Sequence, residues 1–184
     1  MKHQADQTWQ AALVARYTNI FQVTENGRAH TPGYPSVGDG WRELIETVVG
    51  RIVEAIAAAP PACAVIVQTK EKYGTLRLYW HGKNMDAATE HAVEEAVALA
   101  EARSACTCEV CGRAGVLHAR GDWLATACPQ HAKGVPVPVR HDWENLHLVR
   151  GTHDGKAPML VCRRYIRESD SFIEVDPSSL GIYE

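Results

Sequence analysis

Apolar positions in this chain follow two rhythms, a helical one and an alternating one, broken by clusters of turn residues. Trp9, Leu13 and Tyr17 recur at helical spacing and predict a first amphipathic helix over 6–17. Asn26-Gly27, Pro32-Gly33, Pro35 and Gly38-Asp39-Gly40 then interrupt any regular element and predict a long loop. Trp41, Leu44, Ile45, Val48, Val49, Ile52, Val53 and Ile56 trace a broad apolar stripe, the mark of a central core helix stopped by Pro60-Pro61. A short buried strand follows over 64–68. Leu76, Leu78 and Trp80 alternate with Arg77, Tyr79 and His81, which predicts a strand with two different faces. The segment Lys70-Glu71-Lys72-Tyr73-Gly74 between them is short enough to close a hairpin. Ala92, Val93, Ala96, Val97, Leu99 and Ala100 mark a third helix over 86–105.

Beyond residue 133 the pattern weakens. Val135-Pro136-Val137-Pro138-Val139 cannot donate a full set of ladder hydrogen bonds and predicts an extended connector. Met159 to Ile166 and Phe172 to Val175 predict a C-terminal hairpin turning at Glu168-Ser169-Asp170. The expected fold class is α+β, with helices packed on small antiparallel hairpins and an embedded treble-clef-like zinc finger. The expected units are a helical and β-hairpin body over 1–105, a zinc-finger module over 106–133, and a connector, hairpin and acidic tail over 134–184. No internal repeat is visible.

Charge narrows the partner classes. Nineteen basic against 22 acidic residues give a net charge of −3 among 184 residues, so no overall cationic field draws the chain to a phosphate backbone or an anionic membrane. The start of the chain lacks the charged and apolar regions of a leader, and no apolar run approaches membrane-spanning length, so a cytoplasmic protein without membrane contact is expected.

The cysteines carry the strongest chemistry. Four of six fall at 106, 108, 111 and 128, a clustering that suits metal ligation in a reducing compartment better than a disulfide framework. Cys108-Glu109-Val110-Cys111 and Cys128-Pro129-Gln130-His131 each place two ligands with two residues between them, the spacing of a tight knuckle presenting both to one ion. Three thiolates and a neutral imidazole suit Zn2+, and four protein ligands leave no position for water or substrate. Cys108, Cys111, Cys128 and His131 are therefore expected to form a structural zinc site, with Cys106 as the competing thiol. Cys63 and Cys162 are expected to be buried thiols.

Two further segments offer contact surfaces. Lys70, Lys72, Tyr73, Arg77 and Tyr79 gather three cations and two tyrosines on one hairpin, either a face for an acidic partner or nucleic acid, or a charged tip that keeps a sheet edge from aggregating. Glu168, Asp170, Glu174, Asp176 and Glu184 make the tail acidic, while Phe172, Ile173, Leu180, Ile182 and Tyr183 provide apolar anchors. Such a tail either occupies a basic groove on a partner, with Asp170, Phe172, Glu174 and Asp176 as the contact residues, or docks on this protein's own body.

Taken together, Asp39-Gly40-Trp41, Lys70-Glu71-Lys72-Tyr73-Gly74-Thr75-Leu76-Arg77, Cys108-Glu109-Val110-Cys111-Gly112 and Cys128-Pro129-Gln130-His131-Ala132 resemble a motif set of small uncharacterised phage and prophage-associated bacterial proteins. The resemblance covers roughly 17–132 and implies a setting in phage biology or bacterial conflict, not an activity. The expected function is a non-enzymatic, zinc-stabilised protein-binding factor of an immunity, antitoxin-like or phage-encoded inhibitory kind. The alternatives are a nucleic-acid-binding zinc-finger protein, with Arg103, Arg113 and Arg120 near the finger, and an HNH-like nuclease built on Asn145, His147, His153 and Lys156. For the nuclease, the Asn145 to His153 spacing is short, and His141-Asp142 is a poor substitute for the missing base strand.

Overall fold

The computed structural model describes residues 8–151 and 159–182. Thr8 caps α1 (Trp9–Arg16), its hydroxyl accepting from Ala11 N at 3.3 Å, and a single further turn, α2 (Thr18–Phe21), follows. Leu13, Ile20 and Phe21 enter the core from this pair. The predicted loop contains more than a loop. Asn26-Gly27 closes a hairpin of β1 (Val23–Glu25) with β2 (Arg28–His30), and Ser36 then bridges Lys70 of the next sheet. Strands of three mostly exposed residues carry no alternation for a sequence window to register.

The central helix is α3 (Arg42–Ala57), entered through a 3-10 turn at Asp39–Trp41. Its stripe Leu44, Ile45, Val48, Val49 and Ile52 is buried, and it packs on α4 (Ala87–Ser104) and on the long hairpin β3 (Cys63–Lys72) with β4 (Thr75–Lys83). Tyr73 and Gly74 form the whole turn, with φ of 55° and 80°, the mirror-image geometry whose twist matches that of the flanking strands. The predicted strand over 64–68 is thus extended to Lys72, because Lys70 and Lys72 pair with Arg77 and Thr75 on the polar face of the ladder. Asp86 caps α4 through Thr89 N at 2.8 Å. The far end of α4 covers the edge of β4: Ser104 Oγ accepts from Leu76 N at 2.8 Å and Glu101 Oε1 from Leu78 N at 3.3 Å. Side chains here take the place of a third strand.

Two small sheets complete the chain. The first has order β6-β5-β7, built from β5 (Val116–Arg120), β6 (Trp123–Ala127) and β7 (Val135–Pro136). The expected extended connector thus also contributes a short edge strand. Val135 pairs with Ala119 and Pro136 with His118, and Val137, which keeps its N–H between two prolines, donates to Leu117 O at 2.8 Å. An edge strand needs donors on one side only, which a Pro-Val-Pro alternation can supply.

The second sheet has order β10-β9-β8, from β8 (Leu146–Gly151), β9 (Met159–Ile166) and β10 (Ser171–Val175), so the predicted C-terminal hairpin gains a third strand. Tyr165 carries this sheet onto α4, buried with Leu99, Ala102 and Cys106. A 3-10 turn, Pro177–Leu180, returns Leu180 to the interior. The architecture is mixed α and β with small antiparallel sheets, and among the described residues no helix is long and apolar enough to cross a membrane.

Candidate metal centre

The knuckle folds by local backbone bonds: Cys108 N donates to Arg113 O and Gly112 N to Cys108 O, both at 2.8 Å. The second pair sits on a tight turn, with His131 N and Ala132 N donating to Cys128 O at 3.0 and 2.9 Å. The β5–β6 hairpin folds one turn back over the other. Cys111 Sγ then lies 3.7 Å from Cys128 Sγ, and His131 Nδ1 lies 3.4 Å from Cys128 Sγ and 3.6 Å from Cys108 Sγ. All four ligand atoms fall within 4.8 Å of one another, so the quartet can hold a metal ion.

The electrostatics suit a cation. Burial pushes the Cys108 thiol up, but the N–H groups of Cys128, Cys111 and Val110 more than offset this and hold it below its ordinary value. Cys128 is likewise lowered, burial being outweighed by the N–H groups of His131 and Gln130. At Cys111 the Arg113 N–H lowers the pKa, yet desolvation and the adjacent thiols of Cys128 and Cys108 prevail and raise it. Crowded thiols that resist simultaneous ionisation are stabilised together by a bound cation.

Cys106 is separate from the quartet. Its thiol points to Arg103 O at 3.4 Å within the Tyr165 cluster, and burial raises its pKa. Cys162 is buried as expected, whereas Cys63 is exposed, a correction: it stands first in β3, before the strand enters the core.

The body holds the centre through residues whose role the sequence does not declare. Gly40 N donates to Glu109 O at 2.8 Å, and a Cβ on Gly40 would lie 2.3 Å from Cys108 O and 2.4 Å from Gly112 N. Only glycine permits this approach. Gly38 N donates to Glu109 Oε1 at 3.0 Å, Trp41 Nε1 to Thr107 O at 2.9 Å, and Arg167 of the C-terminal sheet to Gly112 O at 3.0 Å. Gly74 packs on the other side of the finger, where a Cβ would meet Leu117 Cδ1 at 2.4 Å. Asp39-Gly40-Trp41, the hairpin tip and the knuckle, far apart in sequence, are thereby brought together.

The remaining candidate residues are divided. Lys70, Lys72, Arg77 and Tyr79 share the polar face of the β3–β4 ladder, with Tyr73 at its tip. Lys70 Nζ lies 5.8 Å from the Tyr79 ring centroid and Lys72 Nζ 5.2 Å from that of Tyr73, which leaves an aromatic and cationic surface open to solvent. Arg77 is the exception: its Nη1 is tied to Thr75 Oγ1 and Leu76 O, both at 2.7 Å.

In the tail, Asp170 is engaged by Arg51 at 2.8 Å and by the Tyr165 hydroxyl at 2.6 Å, which together with burial pushes the tyrosine pKa up. Phe172 packs beneath Arg163 and against Tyr165. Glu174 and Asp176 are exposed, Asp176 capping the last 3-10 turn. The described part of the tail is thus seated on the chain's own body, while Tyr183 and Glu184 lie outside the described residues.

Of the nuclease residues, Asn145 and His147 border a cavity of about 230 Å³ with Arg77 and Glu101; His153 and Lys156 lie outside the described residues. His141 is exposed and bonded to Asp142 at 2.7 Å. Arg103 is drawn into ion pairs with Glu43 and Asp170, and Arg113 is bonded to Gln130; only Arg120 of the three arginines is uncommitted among the described residues. Comparisons with protein families, with curated proteins and with solved structures find no match for this chain.

Proposed function

We propose that the chain is a non-enzymatic protein-binding factor whose finger is stapled by one structural Zn2+ held by Cys108, Cys111, Cys128 and His131. The observation that carries the metal reading is the spacing of the ligand atoms. A zinc ion about 2.3 Å from each sulfur and about 2.05 Å from nitrogen has tetrahedral edges of about 3.8 Å between sulfurs and about 3.5 Å between sulfur and nitrogen. Three of the quartet's six edges are 3.7 Å between sulfurs and 3.4 and 3.6 Å between sulfur and nitrogen, and all six lie within 4.8 Å. Four side-chain ligands complete that shell, so the ion contributes folding free energy and holds surfaces in place.

The finger is treble-clef-like in its knuckle and hairpin, with strand β7 following where that motif continues as a helix. Its placement against the body supports a scaffold role, and the open face of Lys70, Lys72, Tyr73 and Tyr79 supports contact with a protein. The motif resemblance supports a setting in phage biology or bacterial conflict, and within that setting the proposed role is immunity, antitoxin-like or inhibitory. The protein acts in the cytoplasm, where thiols stay reduced.

Affinity capture of the full chain from its native host, followed by mass spectrometry and a salt titration, tests the binding reading. A one-to-one complex with another protein that survives raised salt is expected. Recovery of nucleic acid alone, with affinity falling steeply as salt rises, overturns it in favour of a nucleic-acid-binding finger.

A further inference from the structure

The finger carries a second surface, separate from the β3–β4 face, that the motifs do not point to. Trp123, at the start of β6, is 70 % exposed, the most exposed large apolar side chain among the described residues. A bare indole costs solubility, and it stands on a rigid two-stranded ladder directly opposite Arg120. Strand alternation puts Trp123, Ala125 and Ala127 on one face with Val116, the buried His118 and Arg120. That face forms one wall of a groove of about 420 Å³, closed on the other side by the knuckle through Val110 and by the second turn through Lys133. Val110 and Val116 are also exposed, at 59 % and 57 %.

Cations outnumber acids among the residues that line the groove, two to one. Arg120 and Lys133 border it, and neither belongs to an ion pair among the described residues. Glu109 reaches the same groove, but its carboxylate is engaged by the body, accepting from Gly38 N at 3.0 Å. Asp122 lies in the turn between Arg120 and Trp123 and is exposed. The groove therefore combines an apolar floor, an aromatic anchor and two cations that form no ion pair among the described residues, beside the proposed metal quartet.

We infer that this groove is a docking site for an acidic protein segment that places an apolar side chain against Trp123 and carboxylates toward Arg120 and Lys133. The inference rests on the protein-binding reading above and adds to it the site and the chemistry of the partner. Trp and Arg are the residues that most often dominate such contacts, and a rigid support lowers the ordering cost of binding. The apolar floor and the two cations fit a peptide better than a nucleic acid, whose duplex binders neutralise roughly 6–10 phosphates.

The test is selection of a random peptide library, displayed on phage, against the zinc-loaded full chain, with affinities of the selected peptides measured for variants. Peptides with Asp or Glu flanking an aromatic or aliphatic residue are expected. Trp123→Ala should weaken them by about tenfold or more, and the double variant R120E/K133E should weaken them and favour basic peptides instead. Zinc content and far-ultraviolet circular dichroism confirm that each variant is folded, and R120E/K133E serves alone if Trp123→Ala is not. Selection of no acidic peptides, unchanged affinity in both variants, or tight binding of an oligothymidylate that Trp123→Ala abolishes would each overturn the inference. A protein captured equally well by wild type and by both variants would leave the protein-binding reading standing and remove only the groove.

Discussion

The body and the finger are stabilised by different means. In the body, α3 buries five apolar residues, each no more than 2 % exposed, against the apolar faces of α4 and the β3–β4 hairpin, with Phe21 and Trp41 wedged beside it. Its order follows from apolar area removed from water, at roughly 25 cal/mol per Å². The finger's own buried cluster is Cys108, Ala127 and Cys128 with Ala132 beside it, and two of those four belong to the candidate metal quartet. So small a core supplies little, and small modules of this kind depend on a staple. The proposed staple would account for a finger that exposes Trp123, Val110 and Val116, its shape set by coordination in place of apolar burial.

The sharpest way to break this comparison is to remove the staple. Chelation, or Cys128→Ser, should abolish hydrogen-exchange protection across β5 and β6 while α3 keeps its protection, since metal binding contributes on the order of 10 kcal/mol to isolated modules. Equal loss in both regions would show a shared dependence. Next in size is Gly40→Ala, whose new Cβ would meet backbone atoms 2.3 and 2.4 Å away and force the finger off the body. About 3 kcal/mol of stability should be lost in urea denaturation, the upper range for overpacking.

Trp41→Phe keeps an aromatic side chain but removes the indole N–H and part of the packing, leaving the buried Thr107 carbonyl without its donor, at a cost of at least about 1–3 kcal/mol measured the same way. Glu101→Gln should have a smaller effect, dependent on pH. Burial raises the Glu101 pKa, opposed by the Leu78 N–H and Arg77, so its charged form costs stability above its folded pKa and nothing below its unfolded one. The variant should thus be relatively more stable at pH 7 than at pH 4, and a difference of the opposite sign would refute the assignment. Smallest of all should be the effect of Cys106→Ala on metal content: none, because that thiol belongs to the Tyr165 cluster.

What the sequence made legible was periodic or closely spaced. The stripe from Leu44 to Ile52, the alternation from Leu76 to Trp80 and the paired ligands each occupy a short window, and each predicted element or cluster is present. What it concealed depends on distant partners. Gly40 reads as a turn residue until the knuckle is laid against it, and Val135-Pro136 reads as a connector until β5 offers carbonyls to one side. Asp170 reads either as a partner contact or as an anchor to this protein's own body until Arg51 and Tyr165 close on it. Trp123 alternates only with the small Ala125 and Ala127, and its exposure emerges only once β6 is paired with β5.

The central claim, that coordination by this quartet gives the finger its shape, is tested most directly by the zinc content of the purified full chain and of Cys111→Ser. The ligand set predicts about one zinc per chain in the wild type, and in the variant a loss of most of the zinc together with the exchange protection of β5 and β6. A fully loaded Cys111→Ser, or a wild type folded across β5 and β6 without bound metal, would contradict it.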